Sequence, residues 1–122
     1  PFSYLHVFPY SSRPGTAALR IKQCVPSASV KKRTDLLLDL DRVKRLAFHN
    51  KQIGKTVSVL FETGTRDSYR VGTTPNFTRV AVTETGDLQN QILPVTITAA
   101  VDRFTFGHLM ASQHTHAAMA VL

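Results

Sequence analysis

At 122 residues the chain has the size of one modest domain, or of a small domain with an additional segment. A hydrophobic fraction of 43% supports a packed core and excludes wholesale disorder. No apolar run reaches the roughly 20 residues that span a bilayer, and the opening Pro1-Phe2-Ser3-Tyr4-Leu5 lacks both the basic and the apolar region of a secretory signal. The net charge of +7 is unevenly spread: residues 1–52 hold ten Lys/Arg against three Asp, and residues 53–122 hold five of each sign. Such an excess favours a polyanionic partner, because each neutralised phosphate releases condensed counterions. Proline rather than methionine at position 1 gives the expectation that the chain is cut from a longer one. Cys24 is the single cysteine, so no internal disulfide forms and no cysteine-rich metal site is built from this chain alone. It reads as a small buried apolar residue in a reducing, cytoplasmic setting.

In chain order, Tyr4-Leu5-His6-Val7-Phe8 is apolar, aromatic and β-branched and ends at Pro9, which predicts a short strand without a neighbour to pair with. Pro9 to Thr16 reads as a loop, and a short helix is expected from about Thr16 to Gln23. After Pro26, with Ser27 or Ser29 as the expected cap, Val30, Leu36, Leu37, Leu40, Val43, Ala47 and Phe48 recur at helical spacing. They predict one apolar stripe on a helix of about 22 residues, with Gly54 as its stop. From Ile53 the period changes to two. Val57, Val59 and Phe61, then Val80 and Val82, then Leu93, Val95 and Ile97 alternate with outward positions. Thr63-Gly64-Thr65, Thr73-Thr74-Pro75-Asn76 and Thr85-Gly86-Asp87 read as turns between them. Strands are therefore expected near 54–62, 68–72, 77–83, 92–99 and 103–108, closed into a small five-stranded antiparallel barrel of OB or SH3 type. Residues 111–122 form a tail.

Most chemical motifs are absent. There is no GxGxxG and no GxxxxGK[ST] loop to cradle phosphate, and no GxSxG elbow for a hydrolase triad. His114 and His116 have no third ligand near them in sequence, so no metal site is expected. His6 stands apart because it closes a strand next to a loop, where a larger enzyme places its chemistry. A small barrel with polar and aromatic strands is a common platform for RNA. Lys55, Arg66, Arg70 and Arg79 are its candidate phosphate contacts, and Tyr69 and Phe77 its stacking residues.

Two stretches resemble a known family. His6-Val7-Phe8-Pro9-Tyr10-Ser11-Ser12-Arg13-Pro14-Gly15-Thr16-Ala17-Ala18, followed by Val25-Pro26 and Val30-Lys31-Lys32-Arg33, is similar to the end of the radical-SAM barrel in tRNA methylthiotransferases. Gly54-Lys55-Thr56-Val57-Ser58-Val59-Leu60-Phe61-Glu62 and Gly72-Thr73-Thr74-Pro75-Asn76-Phe77-Thr78-Arg79-Val80 resemble the opening strands of the TRAM barrel that ends these enzymes. The loop form is most similar to the branch acting on N6-threonylcarbamoyladenosine beside the anticodon. The resemblance covers about residues 2–107. It departs from the family pattern at Ala17, where proline is usual, and at Phe77, where tyrosine is usual, so stacking there survives without a hydroxyl.

The resemblance implies a mainly β fold. Residues 1–28 would be the last strand and loop of a truncated radical-SAM α/β barrel, 29–52 a linking basic helix, 53–110 the TRAM barrel and 111–122 a tail. It implies a cytoplasmic parent enzyme that uses two 4Fe-4S clusters and S-adenosylmethionine, with its cluster ligands upstream. The fragment itself would bind the tRNA anticodon stem-loop and not catalyse. His6, Tyr10, Ser11, Arg13 and Thr16 would lie nearest the cofactor or substrate, and Asn76 would join the RNA contacts. Residues 1–30, without their barrel, would be poorly ordered or would pair with a second copy into an artefactual homodimer. Three alternatives stay open: a protein-interaction barrel with no RNA role, an enzyme acting on isopentenyladenosine, and one acting on a ribosomal protein.

Overall fold

The structure is a computed structural model that describes residues 2–66 and 68–110; the expected tail with His114 and His116 lies outside them. The chain divides into two units, residues 1–51 with 101–103, and the remainder.

The first unit contains one long helix, α1 (Ser27–Asn50), preceded by a 3-10 turn, Ala17–Arg20, where the longer Thr16–Gln23 helix was expected. Neither serine caps α1. Pro26 takes the N-cap position, and its carbonyl accepts the first helical bond from Val30 N–H at 3.0 Å. Proline suits this place because its fixed φ fits the entry and its missing N–H would have found no helical acceptor. The apolar stripe expected on α1 is not what the unit buries. Leu36, Leu40 and Val43 are exposed, whereas Asp41 and His49 are buried. The cause is the partner. Residues 2–8 run alongside as an extended segment outside any sheet, and an extended segment has amides to satisfy. Asp41 Oδ1 accepts the Leu5 N–H at 2.7 Å, and Arg45 balances the carboxylate through a 2.8 Å contact to Oδ2. The Lys44 ammonium sits 4.3 Å from the Phe2 ring centre, and the Arg45 guanidinium 5.3 Å from that of Tyr4. A buried Asp is thus held by one amide and one guanidinium, as a buried charge requires. His49 Nδ1–H donates to the Val101 carbonyl at 2.7 Å, also within this unit. Cys24 is exposed rather than buried, because the stretch from Ile21 to Val25 between the 3-10 turn and α1 is exposed throughout.

The second unit is a closed five-strand barrel: β1 (Thr56–Arg66), β2 (Tyr69–Thr73), β3 (Arg79–Val82), β4 (Ile92–Ala100) and β5 (Thr105–Leu109), in ring order β1-β2-β3-β5-β4. The expected closed barrel is present, with one seam of a different kind. β3 and β5 pair in parallel, while every other neighbour is antiparallel. Parity demands it: a closed ring of five strands cannot alternate direction at every seam. The order and the return of β4 to the side of β1 are those of an OB-type Greek-key barrel.

β1 is longer than expected. Thr63-Gly64-Thr65 is not a turn; the strand runs through it to Arg66 with a register irregularity between Phe61 and Thr65. Such a bulge lets one strand bend from β4, which it pairs through Thr56 to Leu60, onto β2, which it pairs from Leu60 onward. The core is small: Val59, Phe61, Val80, Val82, Val95 and Ile97, all at 1% exposure or less. Period-two alternation placed each of them inward, as the sequence pattern requires. Two inward positions are glycines. A Cβ on Gly72 would stand 2.5 Å from the Leu60 carbonyl oxygen, and one on Gly107 2.5 Å from that of Thr96. Close crossing of strands at these two places is what closes so narrow a ring.

Candidate nucleic-acid interface

Inward Gly72 and Val80 fix the opposite sense of their neighbours, so Tyr69, Val71 and Thr73 of β2 and Arg79 and Ala81 of β3 face outward. On β5 the same alternation turns Phe106 and His108 outward. Ala81 registers against both Val71 and Phe106, and the Tyr69 and Phe106 rings meet edge to face at 5.6 Å. The result is one outer patch across β2, β3 and β5, with Val71 and Ala81 buried although they face out. This is the face that OB-type barrels offer to oligonucleotides.

The expected RNA contacts fall into two groups. Arg66, Tyr69 and Arg70 lie where β1 turns into β2, with Arg66 paired to Tyr69 and Thr65 to Arg70. Asn76, Phe77 and Arg79 lie at the other end of β2, and Lys55 precedes β1 on that same end. The two groups are separated by the length of β2, so they do not form one cluster. Arg70 is half-buried and on the inward side, opposite Val82, which removes much of its reach toward a phosphate. Arg79 is half exposed but shared: Glu62 Oε2 is 3.5 Å from its Nη2, and the Phe104 ring centre is 5.8 Å from its guanidinium. Lys55 is exposed.

The loop from Thr74 to Thr78 is held by its own hydrogen bonds and leaves Phe77 exposed. Thr74 N–H donates to the Thr78 carbonyl at 3.0 Å, and Thr78 N–H donates to Thr74 Oγ1 at 2.9 Å. Thr74 Oγ1–H is directed to Asn76 Oδ1, so part of the Asn76 amide serves the loop. Within this frame Phe77 holds φ at 61°, a left-handed conformation that costs an L-residue roughly 1–2 kcal/mol, and the residue is 76% exposed. Burial does not explain the cost. Sequence reasoning named Phe77 but missed Phe104 and Phe106, since the patch joins strands far apart in the chain. Their alternation with inward Thr105 and Gly107 was the available signal.

The five near-site candidates of the first unit lie on an exposed stretch. The His6 ring stacks with Phe8 at 6.4 Å and meets the Tyr4 ring at 5.2 Å, forming a ladder along one side of the extended segment. Thr16 Oγ1 donates to the Arg13 carbonyl at 2.9 Å, closing one turn, and Tyr10 and Ser11 are exposed between. Among the described residues no group of three or more His, Cys, Asp or Glu gathers as a metal site. Cys24 is exposed and is the single cysteine, so this chain alone does not supply the full thiolate set of an iron–sulfur cluster. No helix among the described residues is long and apolar enough to cross a membrane.

No family model matches the chain. A threonylcarbamoyladenosine tRNA methylthiotransferase, MtaB, of Aquifex aeolicus is 43% identical over 60 residues, 49% of this chain and 15% of that protein. The tRNA-2-methylthio-N(6)-dimethylallyladenosine synthases of two strains of Ehrlichia ruminantium are each 36% identical over 102 residues, 81% of this chain and 23% of those proteins. The chain is a homologue of tRNA methylthiotransferases. It spans less than a quarter of the length of these relatives.

Proposed function

We propose that this chain is the tRNA-binding region of an enzyme that methylthiolates N6-threonylcarbamoyladenosine beside the anticodon, and that it performs no catalysis alone. In this reading residues 53–110 are a TRAM barrel and 29–52 the linking helix, and residues 1–28 end a radical-SAM barrel. Two 4Fe-4S clusters and S-adenosylmethionine would be held by other parts of that cytoplasmic enzyme. The observation that carries the proposal is the bare Phe77 ring, held in a strained backbone at the rim of an OB-type barrel. The homology to enzymes named for tRNA supports it. The extended segment adds to it, because residues 2–8 alternate in exposure like a strand yet pair with no described strand of this chain. The threonylcarbamoyladenosine branch is favoured by the higher identity of the MtaB match and by the His6–Arg13 loop form. The dimethylallyladenosine branch has the wider match.

The test is capture. The chain, immobilised, is expected to enrich tRNA from total cellular RNA, with the anticodon stem-loop protected from nuclease. Recovery of proteins and no RNA would support a protein-interaction barrel instead. That second reading has one specific observation in its favour, the zero net charge of residues 53–122.

A further inference from the structure

The neutral barrel leaves open where a phosphate chain is held, and the first unit answers with charge and shape. Its residues carry eleven Lys/Arg against four Asp, a difference of +7, so the whole net charge of the chain belongs to it. On α1 the three acids are each engaged by a cation one turn away: Asp35 by Lys31 at 2.7 Å, Asp39 by Arg42 at 3.0 Å, and Asp41 by Arg45 at 2.8 Å. Among the described residues Lys44 and Lys51 meet no carboxylate. Both line a cleft of about 660 Å³ between the extended segment and the C-terminal half of α1. Its other walls include Phe2, Tyr4 and Phe48. Lys44 already lies over the Phe2 ring and donates to the Phe2 carbonyl at 3.4 Å, so its ammonium is held at the cleft while its charge stays uncompensated.

We infer that this cleft binds one nucleotide unit of an RNA strand, with the base against the aromatic walls and a phosphate on Lys44 and Lys51. The chemistry is that of single-strand binding sites, where rings take the bases and cations track the backbone. A purely apolar ligand would leave two ammonium groups without a counter-charge, and a free inorganic anion would make no use of three rings. The inference rests on the proposed tRNA binding and names the surface that supplies it.

Anisotropy of a labelled tRNA, titrated with the full chain across a salt series, separates the outcomes. The Lys44→Gln/Lys51→Gln variant is expected to reduce the slope of log affinity against log salt by about 1.4, two contacts at roughly 0.7 each. The Lys32→Gln/Arg33→Gln variant, with the same charge change in the N-terminal turns of α1, is expected to reduce it by less than half as much. Tyr4→Leu is expected to weaken binding without changing the slope, because it removes a ring and no charge. Lys51→Gln alone, at an exposed site, reads half the effect if the double variant melts early. Equal slopes for the two double variants, or Tyr4→Leu binding as tightly as the parent chain, would overturn the cleft while leaving tRNA binding intact. Absence of binding by the parent chain would overturn the proposed function and the cleft with it.

Discussion

Gly72→Val is expected to leave the barrel unfolded or barely folded at 25 °C, with its urea midpoint lowered by more than half. Gly72 points into a ring that has no room for a side chain: its Cβ would overlap both the Leu60 carbonyl oxygen and Val59 Cγ1, each at 2.5 Å. The oxygen belongs to the backbone of the paired strand, so a rotamer change cannot clear it. Moving that backbone breaks the β1–β2 register at Leu60↔Thr73 and Phe61↔Gly72. Overpacking of a well-filled core costs typically 1–3 kcal/mol and more where backbone must shift, so about 4 kcal/mol is expected here. A domain of about 60 residues has little stability to spare against such a loss. Thr73→Val, one position on and facing outward, should stay within about 0.5 kcal/mol of the parent. A Gly72→Val midpoint equal to that of the parent would show that strand crossing is not what limits this position.

The second large effect is on binding rather than folding. Phe77→Gly is expected to weaken tRNA affinity by about 1–3 kcal/mol, the worth of one stacked base, which is roughly five- to 150-fold. Stability should hardly change. Glycine adopts the 61° φ without strain, which offsets the entropy it adds to the unfolded chain, and a residue that is 76% exposed contributes little to the core. Phe77→Tyr should retain the affinity, since stacking needs the ring and not the edge. Binding unchanged in Phe77→Gly would remove the ring from the interface. A loss of more than about 1 kcal/mol of stability would make it a structural residue.

Much of the barrel was legible because its determinants are local. Alternation at Val57–Phe61, Val80–Val82 and Leu93–Ile97 depends only on the period of a strand, and it placed all six residues of the inner core cluster. What depended on distant partners was not legible. The parallel β3–β5 seam follows from ring closure, and the length of β1 follows from a bulge that sequence reads as a turn at Thr63-Gly64-Thr65. On α1 the apolar spacing predicted the helix correctly, but the apolar stripe is not the side this unit buries. Periodicity reports that a face is apolar, not which neighbour is present to cover it, and here Asp41 accepts the Leu5 N–H. The site was half legible for the same reason. Phe77 announces itself within a five-residue loop, whereas Phe106 joins Tyr69 only through three strands.

The central claim is that this chain holds tRNA through its phosphates. Affinity of the full chain for a labelled anticodon stem-loop, followed from low to moderate salt, tests it most directly. Three or more neutralised phosphates predict that log affinity falls with log salt at a slope of about −2 or steeper. Binding that is undetectable at low salt, or that does not weaken as salt is added, would contradict it.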